Sequence, residues 1–338
     1  MKIAINGFGR IGRLFFKQAF NNPDIEIVAI NDLGSPQNLA YLLKYDTVYK
    51  TWDVAVEAQD DALMINGKKI AFFQQKDPMQ LPWKDLDVDV VVESTGVFES
   101  FQKAKVHLDA GAKRVLITAP AKDEDGELGK TVLVGVNEEN LKTCTISSNG
   151  SCTTNSVSPV IAILSENPGI EKAVLNTVHG YTATQNIVDG PVKGSDMRRG
   201  RAAAQNIVPS TTGAAIAVGR ALPEFVGKFD GIAMRVPTIA GSIADVTFIA
   251  KRDTTAEEIN AILSQAASEL RWQGILKVTN DPIVSSDILK EPYGAIVDLQ
   301  FTKVVGGNLV KVLSWYDNEW GYASTLIKHV LKIKEMLG

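Results

Sequence analysis

The sequence predicts an α/β chain of two domains, a doubly wound parallel sheet followed by an α+β half with a mostly antiparallel sheet. Three observations carry that expectation. Residues 2–20 run strand, glycine turn, helix; strand-like and helical runs alternate to about residue 150; beyond it come long alternating strands with few helices. Strands alternating with helices bury a parallel sheet on both faces, whereas long alternating strands suit a sheet with one covered face.

Lys2-Ile3-Ala4-Ile5-Asn6 is a short strand, and Gly7-Phe8-Gly9-Arg10-Ile11-Gly12 leads from it into a helical run at Arg13–Phe20. The first glycine permits a tight turn, the second lets the backbone approach a pyrophosphate, and the third lets the helix pack on the strand. Ile25–Ile30 is a second strand ending in Asn31-Asp32, and Asp32 lies 20 residues beyond Gly12. A carboxylate there accepts hydrogen bonds from the adenosine ribose hydroxyls, so the first domain reads as Rossmann-type. Pro36–Tyr45 reads as a helix, Ile65-Asn66-Gly67-Lys68 as a tight hairpin, and Val88–Ser94 as a strand buried on both faces, ending in Thr95-Gly96. A helix over Glu99–Ala110 stops at Gly111, and Arg114–Thr118 is the next strand.

In the second half, Lys172–His179, Gly231–Val236, Ser242–Lys251 and Ala295–Leu299 read as strands, Thr211–Leu222 and Thr255–Leu270 as helices. Val304–Leu309 carries a hairpin signal and Trp320–Leu337 closes the chain as a helix. The stretch from Asp189 to Pro209 is the one long irregular segment, of the kind that serves a site or an interface. Its four basic residues, Lys193, Arg198, Arg199 and Arg201, either bind anions or solvate a surface.

The 338 residues carry a net charge of −4, with 45% hydrophobic and 22% charged side chains, an ordinary balance for a soluble enzyme. That charge gives no footprint for nucleic acid or an anionic membrane. No run reaches the roughly 18 apolar residues of a membrane span, and the N-terminus turns polar at Asn6, so a cytoplasmic protein is expected. The two cysteines stand eight positions apart without CxxC spacing, and His107, His179 and His329 lack the spacing of a metal site, so neither a disulfide nor a bound metal is expected.

Ser151-Cys152-Thr153-Thr154-Asn155 sits between a strand-like run ending at Asn149 and a helix starting near Val157. A thiol at a helix N-terminus gains thiolate character from unpaired N–H groups and the helix dipole, and the thiolate is the nucleophile. The alternative is a small cysteine that packs, which is the reading for Cys144 in its strand-like run. His179, at the end of an apolar strand, is either a partner for that thiol or a core histidine bonded to a carbonyl.

Taken together, Asn6–Arg13, Ser148–Asn155, His179–Gln185, Ser210–Ala215, Arg235–Thr238 and Trp315–Tyr322 closely resemble the glyceraldehyde-3-phosphate dehydrogenase family, with the match running from end to end. The resemblance implies a glycolytic or gluconeogenic oxidoreductase that uses NAD, glyceraldehyde 3-phosphate and inorganic phosphate, usually as a homotetramer. It implies a cofactor domain over 1–150 with a C-terminal helix, 319–338, packing back on it, and a catalytic domain over 151–318. Carried over by position, Cys152 is the nucleophile and His179 its base. Asn6, Gly7, Gly9, Arg10, Ile11, Gly12, Asp32, Thr95, Gly96, Thr118 and Asn318 fall to the cofactor. Ser151, Thr153, Thr182, Arg199, Thr212, Gly213 and Arg235 fall to substrate and phosphate. The chain departs from the family pattern at Gly150, Ser156 and Ala323, and its basic loop is about a residue longer. Two other readings stand beside this one: erythrose-4-phosphate dehydrogenase, which favours water over phosphate, and a cofactor-bound binding or regulatory protein. Tyr181-Thr182 favours the first family over erythrose-4-phosphate dehydrogenase, and an intact Cys152 with His179 argues against a binding protein.

Overall fold

The computed structural model describes residues 1–192 and 194–337. Lys193 of the basic loop and Gly338 of the expected last helix lie outside the described residues. The chain divides into two compact units, one of residues 1–134, 138–150 and 326 onward, the other of residues 135–137 and 151–325.

The first unit runs β1 (Lys2–Asn6), α1 (Arg10–Ala19), β2 (Glu26–Asn31), α2 (Pro36–Lys44), β3 (Val56–Gln59), β4 (Ala62–Ile65), β5 (Lys68–Phe73) and β6 (Val90–Glu93). It continues through α3 (Phe101–Ala104), α4 (Val106–Asp109), β7 (Arg114–Ile117), β8 (Gly129–Thr131) and β9 (Ile146–Ser148). The nine strands order β3-β4-β5-β2-β1-β6-β7-β9-β8, parallel from β5 onward with β3 and β4 antiparallel at one edge. Chain order reverses between β1 and β6, and at such a switch point the loops after neighbouring strands diverge to leave a ligand crevice.

The helix expected over Glu99–Ala110 starts at Phe101 and is interrupted at Lys105. Ser100 is the true cap, its hydroxyl accepting from Lys103 N–H, which leaves Glu99 outside. Strands β3 and β8, short and polar, carried no apolar signal.

The second unit runs α5 (Cys152–Glu166), β10 (Ile170–Gly180), β11 (Val208–Thr211), α6 (Ala214–Ala221), β12 (Phe229–Val236), β13 (Ser242–Ala250), α7 (Ala256–Ser268), β14 (Leu276–Thr279), β15 (Ala295–Val305), β16 (Leu309–Tyr316) and α8 (Trp320–Leu337). The division between the units falls inside α8, at Leu326. Strand order is β11-β12-β10-β13-β16-β15-β14, with four antiparallel pairings and two parallel ones. Helices α5, α6 and α7 pack on this sheet, and burial alternates strictly along β13.

The segment from Asp189 to Pro209 is more ordered than its composition suggests. Gly190 N–H bonds Gly200 O, Asn186 N–H bonds Arg199 O, Asp189 accepts from Arg201 and Ala202 N–H, and Met197–Gly200 forms a 3₁₀ turn. Glycine and charged residues hide this closure from any periodicity argument.

Candidate active site

Register builds the site. Across the second sheet Arg235 pairs with His179, His179 with Ser242, and Ser242 with Tyr316, so four strands place their side chains in one row on the covered face. A parallel row two residues away holds Ala233, Thr177, Ala244 and Ser314. Helix α5 lies over both rows. Its Thr153 hydroxyl is 2.9 Å from Tyr316 Oη and its Ser156 hydroxyl 2.9 Å from Ser314 Oγ, an i, i+3 pair on one helical face.

Ser151 caps α5 in a full capping box with Thr154, and Cys152 is the first helical residue. Cys152 Sγ lies 3.4 Å from His179 Nε2. The other ring nitrogen, Nδ1, is 2.6 Å from its neighbour's carbonyl, Gly180 O, and the tautomer that donates there turns the Nε2 lone pair to the sulfur. The core-histidine bond to a carbonyl and the thiol partnership therefore coexist in one ring. Arg235 Nη1 sits 2.8 Å from the same Nδ1 and donates to Gly180 O at 3.2 Å.

Burial, with Arg235 and Arg199 adding positive charge, pushes His179 down to about 3, so the ring is neutral at pH 7. Burial also pushes the Cys152 thiol up, against Arg235, the Thr153 hydroxyl and the N–H groups of Thr153 and Cys152, which pull it down. Desolvation here opposes the helix terminus and the neighbouring guanidinium, which favour the thiolate. Cys144 is pushed up by burial as well and is buried.

Of the residues expected to contact anions, Arg235 stands beside this pair and Arg199 adds its charge to His179. Arg235 Nε is buried without a hydrogen-bond partner among the described residues. Arg199 binds Ser210 Oγ through Nε and Nη2 and Thr184 Oγ1 through Nη1, and Thr184 in turn meets Thr182 at 3.0 Å. Thr212 accepts from Ala214 N–H, and Gly213 begins α6 without a side-chain cap. The Ser151 hydroxyl is spent on Thr154, a capping role.

In the first unit the glycine turn is dictated by backbone contact. Gly7 has φ +94°, and a Cβ there would lie 2.6 Å from Thr95 N; one on Gly12 would lie 2.2 Å from Gly7 O. At Gly9 a Cβ would meet nothing within 4 Å, and Gly9 starts α1 with no side-chain cap, with Arg10 and Ile11 as the first helical residues. An open backbone at an uncapped helix start fits a pyrophosphate. Asp32 accepts from Phe8 N–H at 2.7 Å and Gly34 N–H at 2.8 Å, which anchors its carboxylate at the end of β2 beside the turn. These features fit a dinucleotide. Arg10 is engaged with Asp46 at 2.6 Å. Thr95 bonds Glu93, Gly96 has φ +70°, and Thr118 N–H bonds Glu93 O.

Asn6 does not face the crevice. It is buried, its amide nitrogen donating to Glu93 and its oxygen accepting from Asn31, within a network that adds His107 and Trp83. Asn318 Oδ1 accepts from Gly241 N–H and the Ser242 hydroxyl, which leaves the amide nitrogen as its donor.

Two family models match this chain: "Glyceraldehyde 3-phosphate dehydrogenase, NAD binding domain" over residues 1–101 and "Glyceraldehyde 3-phosphate dehydrogenase, C-terminal domain" over residues 151–318. The chain belongs to the glyceraldehyde-3-phosphate dehydrogenase family. A family member from Thermotoga maritima is 52% identical over 96% of this chain and 97% of its own. Those from Borreliella burgdorferi and Zymomonas mobilis are 48% and 44% identical over 98% and 100% of this chain and 99% of theirs. Sequence reasoning missed Tyr316 and Thr177, which touch the family's cysteine helix and sheet, and the Glu93–His107 pair. The available signal was the strand period, which puts Thr177 on the same face as His179.

Proposed function

We propose that this chain oxidises glyceraldehyde 3-phosphate to 1,3-bisphosphoglycerate with NAD and inorganic phosphate, using Cys152 as nucleophile and His179 as base. The observation that carries the reading is Cys152 Sγ at 3.4 Å from His179 Nε2, at the start of a helix and beside Arg235. Neutral His179 takes the thiol proton as sulfur adds to the aldehyde carbon. The resulting oxyanion is stabilised by N–H groups at the start of α5. NAD, when bound, supplies the hydride acceptor. His179 returns the thiol's proton to the oxyanion, giving the thiohemiacetal hydroxyl, and removes it again as the thiohemiacetal on Cys152 becomes a thioester. Phosphate then attacks the thioester and releases the acyl phosphate. Two anion positions are needed, and Arg235, Arg199, Thr182, Thr212, Gly213, Ser151 and Thr153 are the groups to share them. Asn318 Nδ2 is the donor for the nicotinamide carboxamide. Asp32, held by two backbone N–H groups and followed by exposed Leu33 rather than a cation, favours NAD over NADP.

The same reading makes the protein a cytoplasmic homotetramer. No helix among the described residues is long and apolar enough to cross a membrane. Exposed Val174 and Ile232 on the uncovered face of the second sheet, with Ile187 and Val188 just before the basic loop and Met197 within it, support burial against further copies. A monomer by light scattering with full activity would refute that assembly. For the reaction, NADH formation from glyceraldehyde 3-phosphate is expected to require phosphate. An equal rate without phosphate or arsenate favours the hydrolytic alternative instead.

A further inference from the structure

The carboxyl ends of β2, β1 and β6 carry a buried polar row. Register sets Asn31 beside Asn6 and Asn6 beside Glu93. Asn31 Nδ2 donates to Asn6 Oδ1 at 2.7 Å, and Asn6 Nδ2 donates to Glu93 Oε2 at 2.6 Å. His107 Nε2 lies 3.0 Å from the same carboxyl oxygen, and Trp83 Nε1 lies 3.1 Å from His107 Nδ1. An indole N–H only donates, so Nδ1 accepts and the ring proton sits on Nε2, facing Glu93. The 3.3 Å between His107 Nε2 and Asn6 Nδ2 therefore separates two donors that converge on one oxygen. The other oxygen, Oε1, accepts from Thr95 N–H at 2.8 Å and from the Thr95 hydroxyl at 2.5 Å. Thr95 Oγ1 in turn accepts from Val97 N–H at 3.0 Å, which closes the turn over Gly96. Glu93 is 2% exposed, and its four donors suit a carboxylate that accepts through both oxygens; an amide accepts through one alone.

The Thr95 end of this network lies against the glycine turn. Thr95 N is the atom that a Cβ on Gly7 would meet at 2.6 Å, Ser94 Oγ donates to Gly7 O at 2.6 Å, and Gly96 turns with φ +70°. The loop after β6 thus packs on the turn from one side of the switch point, and Asp32 stands at the end of β2 on the other. With Asp32 on the adenosine ribose, the β6 side falls to the nicotinamide half of a dinucleotide that spans the switch point. We propose that Glu93 is a positioning residue for that half. Anchored on one oxygen by Asn6 and His107, it fixes the Thr95-Gly96 turn with the other, and through Asn6 and Asn31 it joins this end of the crevice to the Asp32 end. A glutamine in its place turns its NH₂ toward donors on one side, so either the Thr95 turn or the anchor lets go. The inference rests on the reading of Asp32, Thr95 and Gly96 as cofactor contacts.

Equilibrium binding of NAD and of AMP, which fills the adenosine half alone, separates positioning from folding. Glu93→Gln should raise the Kd for NAD about tenfold, the worth of one hydrogen bond to a charged group, and leave that for AMP within about twofold. A residue that only supports the fold would move both together. Thr95→Val, at an exposed position, should show the same split at about three- to tenfold, and Thr95→Ser should restore NAD binding. In the Glu93→Gln background, Thr95→Val should add less than it does alone, because the two act through one contact. His107→Phe removes one anchor and keeps the carboxylate, so it should give the split more weakly and carries the test if the Glu93 variant does not fold. Equal losses for NAD and AMP in the Glu93 or His107 variants, or unchanged NAD binding in them, overturn the proposal. Asp32→Ala should weaken both ligands; if it alters neither, the cofactor-site reading fails instead.

Discussion

Helix α1 begins at Gly9 with no side chain capping it, whereas α5 begins at Ser151 inside a complete capping box. Both follow the carboxyl end of a parallel strand, yet the two starts are built for different loads. At α1 no side chain caps the helix start, and Gly9 adds free space beside it. At α5 the cap satisfies Thr154 N–H and fixes the first turn, so the remaining N–H groups act on one thiol. An uncapped start suits a diffusible anion, and a capped one suits a covalent nucleophile whose position must not drift.

The largest effect expected from breaking this contrast is at Arg235, which serves the capped site. Arg235→Lys keeps the charge but loses the paired donors of a guanidinium, and should lower kcat/KM for the phosphorylated aldehyde by roughly ten- to a hundredfold. An aldehyde without phosphate should suffer less. Equal losses on both would make Arg235 a support for His179, its 2.8 Å neighbour, rather than an anion contact.

Each unit also holds a buried neutral histidine, which lets acid compare them. Burial pushes both His179 and His329 down to about 3 from 6.5. The unfolded chain takes up protons below pH 6.5 while the folded chain does not, so stability falls as pH drops from 6.5 toward 3. The slope is about 1.4 kcal/mol per pH unit for each ring. His329 bridges Asn149 and Ser147 in the first unit. Urea midpoints at pH 7 and pH 5 should show His329→Gln losing one proton's share of that slope; an unchanged slope means His329 is protonated in the folded state.

Gly9→Ala should raise the KM for NAD about tenfold and leave the melting temperature unaltered, since its Cβ meets no protein atom within 4 Å. A large loss of stability would show that Gly9 serves the fold. The smallest effect belongs to Thr154→Val, which removes half of the capping box and should cost about 1 kcal/mol in urea unfolding. Unaltered stability would mean that the capped start owes nothing to Thr154.

Much of the cofactor half was legible because its chemistry is local. A glycine turn, a strand end and an acid 20 residues on are all neighbours in sequence. Cys152 was legible for the same reason, as a cap signal beside a strand. The row that completes the site was not. Arg235, His179, Ser242 and Tyr316 are brought together by register across four strands, and no spacing encodes which strands pair. The raised thiol was hidden for a related cause: desolvation depends on what packs over the sulfur, while the favourable helix terminus is visible in the sequence. Asn6 shows the converse, a residue inside a recognisable motif whose side chain the fold spends on Glu93 and Asn31.

The central claim is that the covalent step occurs on Cys152. Mixing the enzyme with glyceraldehyde 3-phosphate and NAD in phosphate-free buffer, then digesting under acid, reads it directly by mass. The account predicts an acylated peptide carrying Cys152, with Cys144 unmodified, and loss of that acyl group on addition of phosphate. Turnover with the acyl group on another residue, or with no acyl-enzyme and an undiminished rate without phosphate, would contradict it.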